Sequence, residues 1–150
     1  RERGLGRLLA KLASSDALFG SAPPLVEERS ADEDVYRAQT EQVITSCAEQ
    51  GGVVLGRAAA VVLAGRAGAL HVRLDGPRQA RVARAAQAEG IDEDQAAKIL
   101  DSNDRTRESY VRHFYRVDPR DPGLYHLVID ATAFGVDACT ELIVAAAAAR

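Results

Sequence analysis

Residues 69–84 read ALHVRLDGPRQARVAR, and their periodicity changes half-way. Leu70, Val72 and Leu74 alternate with His71 and Arg73, the period of two that marks a half-buried strand. Asp75-Gly76 turns the chain, and Pro77 is placed as the first residue of a helix, where a missing N–H costs nothing. That helix runs through PRQARVARAAQAE and stops at Gly90, in the position where helices favour glycine. A strand that turns straight into a helix is the unit from which helix-covered parallel sheets are built.

The unit recurs on both sides. Upstream, Val53-Val54-Leu55 is a short apolar run bracketed by glycines, which predicts a strand buried on both faces; RAAAVVL after it predicts a short helix. A longer helix is expected before them, capped by Ser30 or Asp32 with acidic residues in its first turn, and ending at Gly51-Gly52. Leu5, Leu8, Leu9 and Leu12 predict a short amphipathic helix, and Gly20, Pro23 and Pro24 a mobile loop at about 20–30. Downstream, Ile91 as staple, Asp92 as cap and Gln95 in the capping-box position start a long helix to about Tyr115. Asp118, Pro119, Asp121, Pro122 and Gly123 break it. YHLVIDA then predicts a third strand, and GVDACTELIVAAAAA a closing helix. The order of elements predicts an α/β fold, a parallel β-sheet sandwiched by helices.

Composition limits what such a fold can do. The 150 residues are 47% hydrophobic and 5% aromatic, which suits one domain with a core of Val, Leu, Ile and Ala. A formal net charge of −3 and a pI near 5.6 argue against a nucleic-acid partner held by bulk charge, so any anion site is local. Cys47 and Cys139 lie far apart without metal-ligand spacing and read as free thiols of a reducing compartment. His71, His113 and His126 have neither metal nor triad spacing. No apolar run approaches the ~20 residues of a membrane span, and no signal peptide is evident; a cytoplasmic chain without a membrane partner is expected. The chain begins at Arg1 rather than methionine, which predicts a further segment upstream.

Against that acidic background, Lys98, Arg105, Arg107, Arg112, His113 and Arg116 crowd into nineteen residues. They can face water, carboxylates or a phosphate. Asp101 and Asp104 stand at i+4 and i+3 spacing from Arg105 and Arg107, so an ion-paired helix face is one reading. Arg57 follows the first apolar run through Gly56, at the end of a strand where open α/β sheets bind ligands; it grips an anion there or caps a helix. Arg81 and Arg84 share one helix face and form either a solvated stripe with Arg78 or part of a site. Asp130 reads as a turn cap, and Tyr110 and Tyr115 as packing residues.

Four stretches in order, GGVVLGRAAAVVL, ALHVRLDGPRQARVAR, IDEDQAAKILDSNDRTRESYVRHFY and DPGLYHLVIDATAFGVDACTELI, resemble the cytidylate-kinase-like family of P-loop nucleoside monophosphate kinases. The resemblance runs from about Asp32 to the C-terminus, with Ala58 standing where a glycine is usual. It implies a P-loop sandwich with a small nucleotide-binding insert and an arginine-bearing lid at about 98–123. It also implies transfer of the γ-phosphoryl group of ATP, with Mg²⁺, to a pyrimidine monophosphate such as CMP. On this resemblance Arg57 grips the acceptor phosphate, Arg81 and Arg84 reach toward ATP, and Arg105 and Arg107 are the catalytic lid arginines. The family's first strand and its G-x-x-x-x-G-K-[ST] loop are missing from the sequence; GLGRLLAK lacks the G-K-[ST] end. Residues 1–150 are thus expected to form a partial kinase domain, with the loop and any metal ligands upstream. The alternative is a catalytically inactive nucleotide-binding or interaction module on the kinase scaffold. Acceptor base, sugar and homo-oligomer formation stay open.

Overall fold

The computed structural model describes residues 31–150; the helix expected over residues 5–12 and the loop at 20–30 lie outside the described residues. Helix α1 spans Ala31–Gln50, with Asp32, Glu33 and Asp34 facing its dipole in the first turn. It buries Ile44 and ends at Gly51, whose φ of 77° is the left-handed stop that glycine adopts without strain. A single turn, α2, covers Ala59–Val62. Strand β1 is Val72–Asp75, α3 is Arg78–Glu89 and α4 is Glu93–Tyr115. A 3₁₀ turn at Pro122–Leu124 leads to β2, Leu127–Asp130, and α5, Val136–Ala148, closes the chain.

The α3–α4 corner follows the sequence closely. Gly90 takes a left-handed φ of 66°, and the Asp92 side chain accepts a bond from the Gln95 N–H. Val82, Ala86 and Ala96 form a buried cluster, against which Ala85, Ile91, Ala97 and Leu100 pack. Burying Val82 or Ile91 in such a cluster is worth roughly 1.5–3 kcal/mol at full burial.

β1 and β2 pair in parallel, with Val72 opposite Leu127 and Asp75 opposite Asp130. At their amino ends the His71 N–H donates to His126 Nδ1 at 2.9 Å, and the two rings stack with centroids 4.8 Å apart. This clasp sets the register, because a slip by one residue would lose both contacts.

One expected element differs. Val53–Leu55 forms no strand, and Val53 and Leu55 are 90% and 79% exposed. Apolarity reports a tendency to be covered; a strand also needs a neighbour to accept its backbone bonds. Among the described residues β1 pairs with β2 alone, and residues 53–55 join no sheet. The described architecture is therefore a helix-rich α/β chain with a two-stranded parallel sheet, rather than the three strands expected. No helix among the described residues is long and apolar enough to cross a membrane.

Candidate functional site

The carboxyl ends of β1 and β2 meet closely. Asp130 Oδ1 accepts bonds from the Thr132 N–H at 2.9 Å, the Thr132 hydroxyl at 2.6 Å and the Ala133 N–H at 3.2 Å. These bonds, that of the Thr132 hydroxyl first, hold its carboxyl below the usual carboxylate range. It caps the turn, as expected. Gly76 packs against this cap: a Cβ there would lie 2.7 Å from both Asp130 Oδ1 and Thr132 Cγ2, so only glycine allows the approach. Burial acts to raise the Asp75 carboxyl, but the Gly76 N–H and Arg73 bring it below its ordinary value.

Arg57 lies in a second unusual place. Gly56, Arg57 and Ala58 all have positive φ, at 69°, 52° and 57°. The left-handed region costs a non-glycine residue roughly 1–2 kcal/mol, and such strain concentrates at functional sites. It also explains why glycine suits the position of Ala58. The capping role is not taken up: α2 has no side-chain cap, and Arg57 Nη1 donates instead to the Tyr36 hydroxyl of α1 at 3.0 Å. The exposed Arg57 thus carries a neutral partner.

Arg78 and Arg81 are placed differently. Arg78 forks onto Asp101 with bonds of 2.9 and 2.7 Å. Arg81 forks onto Asp104 at 2.9 Å through both terminal nitrogens. Both aspartates thus form a cross-helix ladder, in which a planar two-point fork is stronger than a flexible contact along one helix. Arg84 leaves that face and donates to the Ala131 and Phe134 carbonyls beyond β2. Arg105 is exposed and near enough to Asp101 to help lower its pKa, after the larger effect of Arg78; it forms no ion pair among the described residues. Arg107 is also exposed.

The structure therefore lets Arg78, Arg81 and Arg105 all act on Asp101, whereas Arg57 bonds a residue of α1. Through Tyr36, Arg57 is held on α1, and α1 is tied to the second half of α4 by Glu33 Oε2 and His113 Nε2, 3.2 Å apart. Tyr110 packs on Phe114 with ring centroids 4.9 Å apart, in line with a packing role. The Tyr110 and Tyr115 ring centroids lie 6.4 Å apart, their hydroxyls are buried, and burial first of all raises both phenols above their ordinary value. Tyr36 carried no signal in the sequence. Asp101 and Asp104 did: their spacing of three repeats that of Arg78 and Arg81.

Residues 2–133 match the profile of the cytidylate kinase-like family. A cytidylate kinase of Methanopyrus kandleri is 32% identical, the match covering 77% of this chain and 62% of that protein. One from Methanocaldococcus jannaschii is 30% identical, covering 78% and 65%. The chain thus spans less than two thirds of the length of either relative. The crystal structure of an uncharacterized protein from Eubacterium ventriosum superposes with a TM-score of 0.70 at 21% identity, over 81% of this chain and 69% of that one. That likeness speaks for the fold alone. The profile match covers most of the sequence: the chain belongs to the cytidylate kinase-like family.

Proposed function

We propose that the protein is an ATP-dependent nucleotide kinase, that its acceptor is a pyrimidine nucleoside monophosphate of the CMP type, and that this chain carries the acceptor grip and the lid. The family supports the reaction class. The observation that carries the assignment is Arg57, an exposed guanidinium on a strained backbone, whose partner is the neutral Tyr36 hydroxyl. A phosphate dianion outcompetes a phenol for such a fork, since charge-assisted bonds are roughly twice as strong as neutral ones. Phosphoryl transfer asks the protein chiefly to position its reactants and neutralise charge.

In this reading Arg57 holds the acceptor phosphate at two points. Arg105 and Arg107, exposed on α4, neutralise the transferring phosphoryl oxygens when residues 98–123 close as a lid. Arg81 and Arg84 reach ATP by exchanging Asp104 and the two carbonyls for phosphate. These guanidinium groups suit the phosphates of ATP. Among the described residues no three His, Cys, Asp or Glu side chains converge on a metal position. The exposed Val53 and Leu55 support a larger parallel sheet of P-loop type, with a further strand lying against them.

The test is direct. The full-length protein, given ATP and Mg²⁺, is assayed for diphosphate formation from CMP, dCMP, UMP and AMP. Turnover with CMP preferred over AMP is the expected result; no transfer to any monophosphate contradicts the reading.

A further inference from the structure

The segment that returns α4 to β2 is tied in two directions. Toward α4, Asp118 receives Arg112 at 3.1 Å, and Arg120 bonds Glu108 at 2.7 Å; these ties travel with the helix. Toward the sheet the tie is Arg73. Its Nε donates to Asp75 Oδ2 at 2.9 Å, its Nη2 lies 2.8 Å from the same oxygen, and its Nη1 donates to the Pro119 carbonyl at 2.5 Å. The Tyr125 hydroxyl donates to that carbonyl too, at 2.9 Å, and the Arg73 guanidinium lies over the Tyr125 ring, 5.8 Å from its centroid. The Pro119 oxygen thus has both lone pairs filled. The Arg73 side chain is only 25% exposed, so its bonds are shielded from water.

One end of this fork is Asp75, the last residue of β1, beside Gly76 and the Asp130 cap. The other is the foot of the return segment. The first half of α4 is held by α3 through the Asp101 and Asp104 ladder. The second half is held from two sides: His113 Nε2 lies 3.2 Å from Glu33 Oε2 of α1, the helix whose Tyr36 holds Arg57, and the Arg73 fork ties the foot of α4 to β1. We propose that Arg73 is a positioning residue: by bridging Asp75 and the Pro119 carbonyl it sets the spacing between the Arg57 turn and α4. The role in turnover rests on the kinase reading above; the bridge itself does not. Under that reading the spacing governs how the acceptor phosphate meets the lid arginines, and a displacement near 1 Å between reacting groups can cost about a hundred-fold in rate.

Arg73→Lys keeps the charge, but a single ammonium on a flexible stem cannot reproduce the planar two-acceptor bridge. Tyr125→Phe removes the second donor and leaves Arg73 in place. Full-length wild type and both variants are compared by amide exchange at Arg116, Arg120 and Asp121, whose N–H groups are bonded, by melting, and by kcat and KM for CMP and ATP. Arg73→Lys should exchange faster at these amides and lose about ten- to a hundred-fold in kcat, with the KM for ATP held within about two-fold; Tyr125→Phe should show the same pattern more weakly. Unchanged exchange in Arg73→Lys overturns the bridge. Faster exchange with lower melting but wild-type kcat overturns the positioning role alone. A wild type that transfers no phosphoryl group overturns the kinase reading, and the positioning role with it.

Discussion

The arginines on α3 and the arginine at the 56–58 turn are both near the surface, yet they meet opposite fates. Arg78 and Arg81 each fork onto an aspartate of α4, so their charge is cancelled within the fold. Arg57 donates to a neutral phenol from a backbone that is strained at two successive non-glycine residues. The first arrangement suits holding two helices together; the second leaves a cation with a replaceable partner. The contrast teaches that an arginine-rich face becomes an anion site through what its carboxylates do. Where carboxylates answer each fork, an incoming phosphate must displace a like-charged competitor. At Arg57 it displaces only a hydroxyl.

The sharpest way to break this comparison lies on α4. Arg105 has no ion pair among the described residues, so Arg105→Ala should leave melting almost unchanged while kcat falls about a hundred- to a thousand-fold, the range for losing one transition-state donor. A large drop in melting temperature with little loss of kcat would move Arg105 to the structural side. The ladder itself is tested by neutralising its carboxylates one at a time. Asp104→Asn strips the counter-charge from Arg81, whose side chain is 26% exposed, and should cost about 1 kcal/mol. Asp101→Asn, where the partners are 59% and 43% exposed, should cost measurably less. Urea unfolding of both variants at low and high salt reads the difference, and equal costs would mean that the two rungs are alike.

Two smaller effects probe the Arg57 side. The Tyr115 phenol is raised by burial first, and by Tyr110 and Glu41 beside it, so Tyr115→Phe should destabilise by about 1 kcal/mol by removing the hydroxyl those two groups meet; an unchanged melting temperature would mean that the hydroxyl makes no bond in solution. Ala58→Gly should relieve the left-handed strain but loosen the unfolded chain, for a net gain of about 0.5 kcal/mol. A loss of stability on that change would show that Ala58 adopts an ordinary backbone in solution.

What was legible in the sequence was local. Gly90 and Asp92 mark their helix ends through their own backbone and side chains, and both strands that do form lie within the stretches expected for them. The misreadings came where a partner is distant. Val53-Val54-Leu55 has the composition of a strand, but pairing depends on a neighbour that its own residues do not specify. Asp101 was read against Arg105, four residues away, whereas its fork is with Arg78, twenty-three residues away. Tyr36 meets Arg57 across twenty-one residues, and a lone tyrosine in a helix gives no hint of that. Arg73 read simply as the polar side of an alternating strand, and its bridge to Pro119 spans forty-six residues.

The central claim is that Arg57, and not the laddered arginines, is the free grip for an acceptor phosphate. Calorimetric titration of CMP into full-length wild type, Arg57→Lys and Arg78→Lys tests it most directly. Lysine keeps the charge and loses the planar fork, and a charge-assisted contact is worth roughly 1.5–3 kcal/mol. Arg57→Lys should therefore weaken CMP binding about ten- to a hundred-fold with ATP affinity and melting unchanged, while Arg78→Lys should bind CMP as wild type does. Unaltered CMP affinity in Arg57→Lys, or an equal loss in Arg78→Lys, would contradict the account.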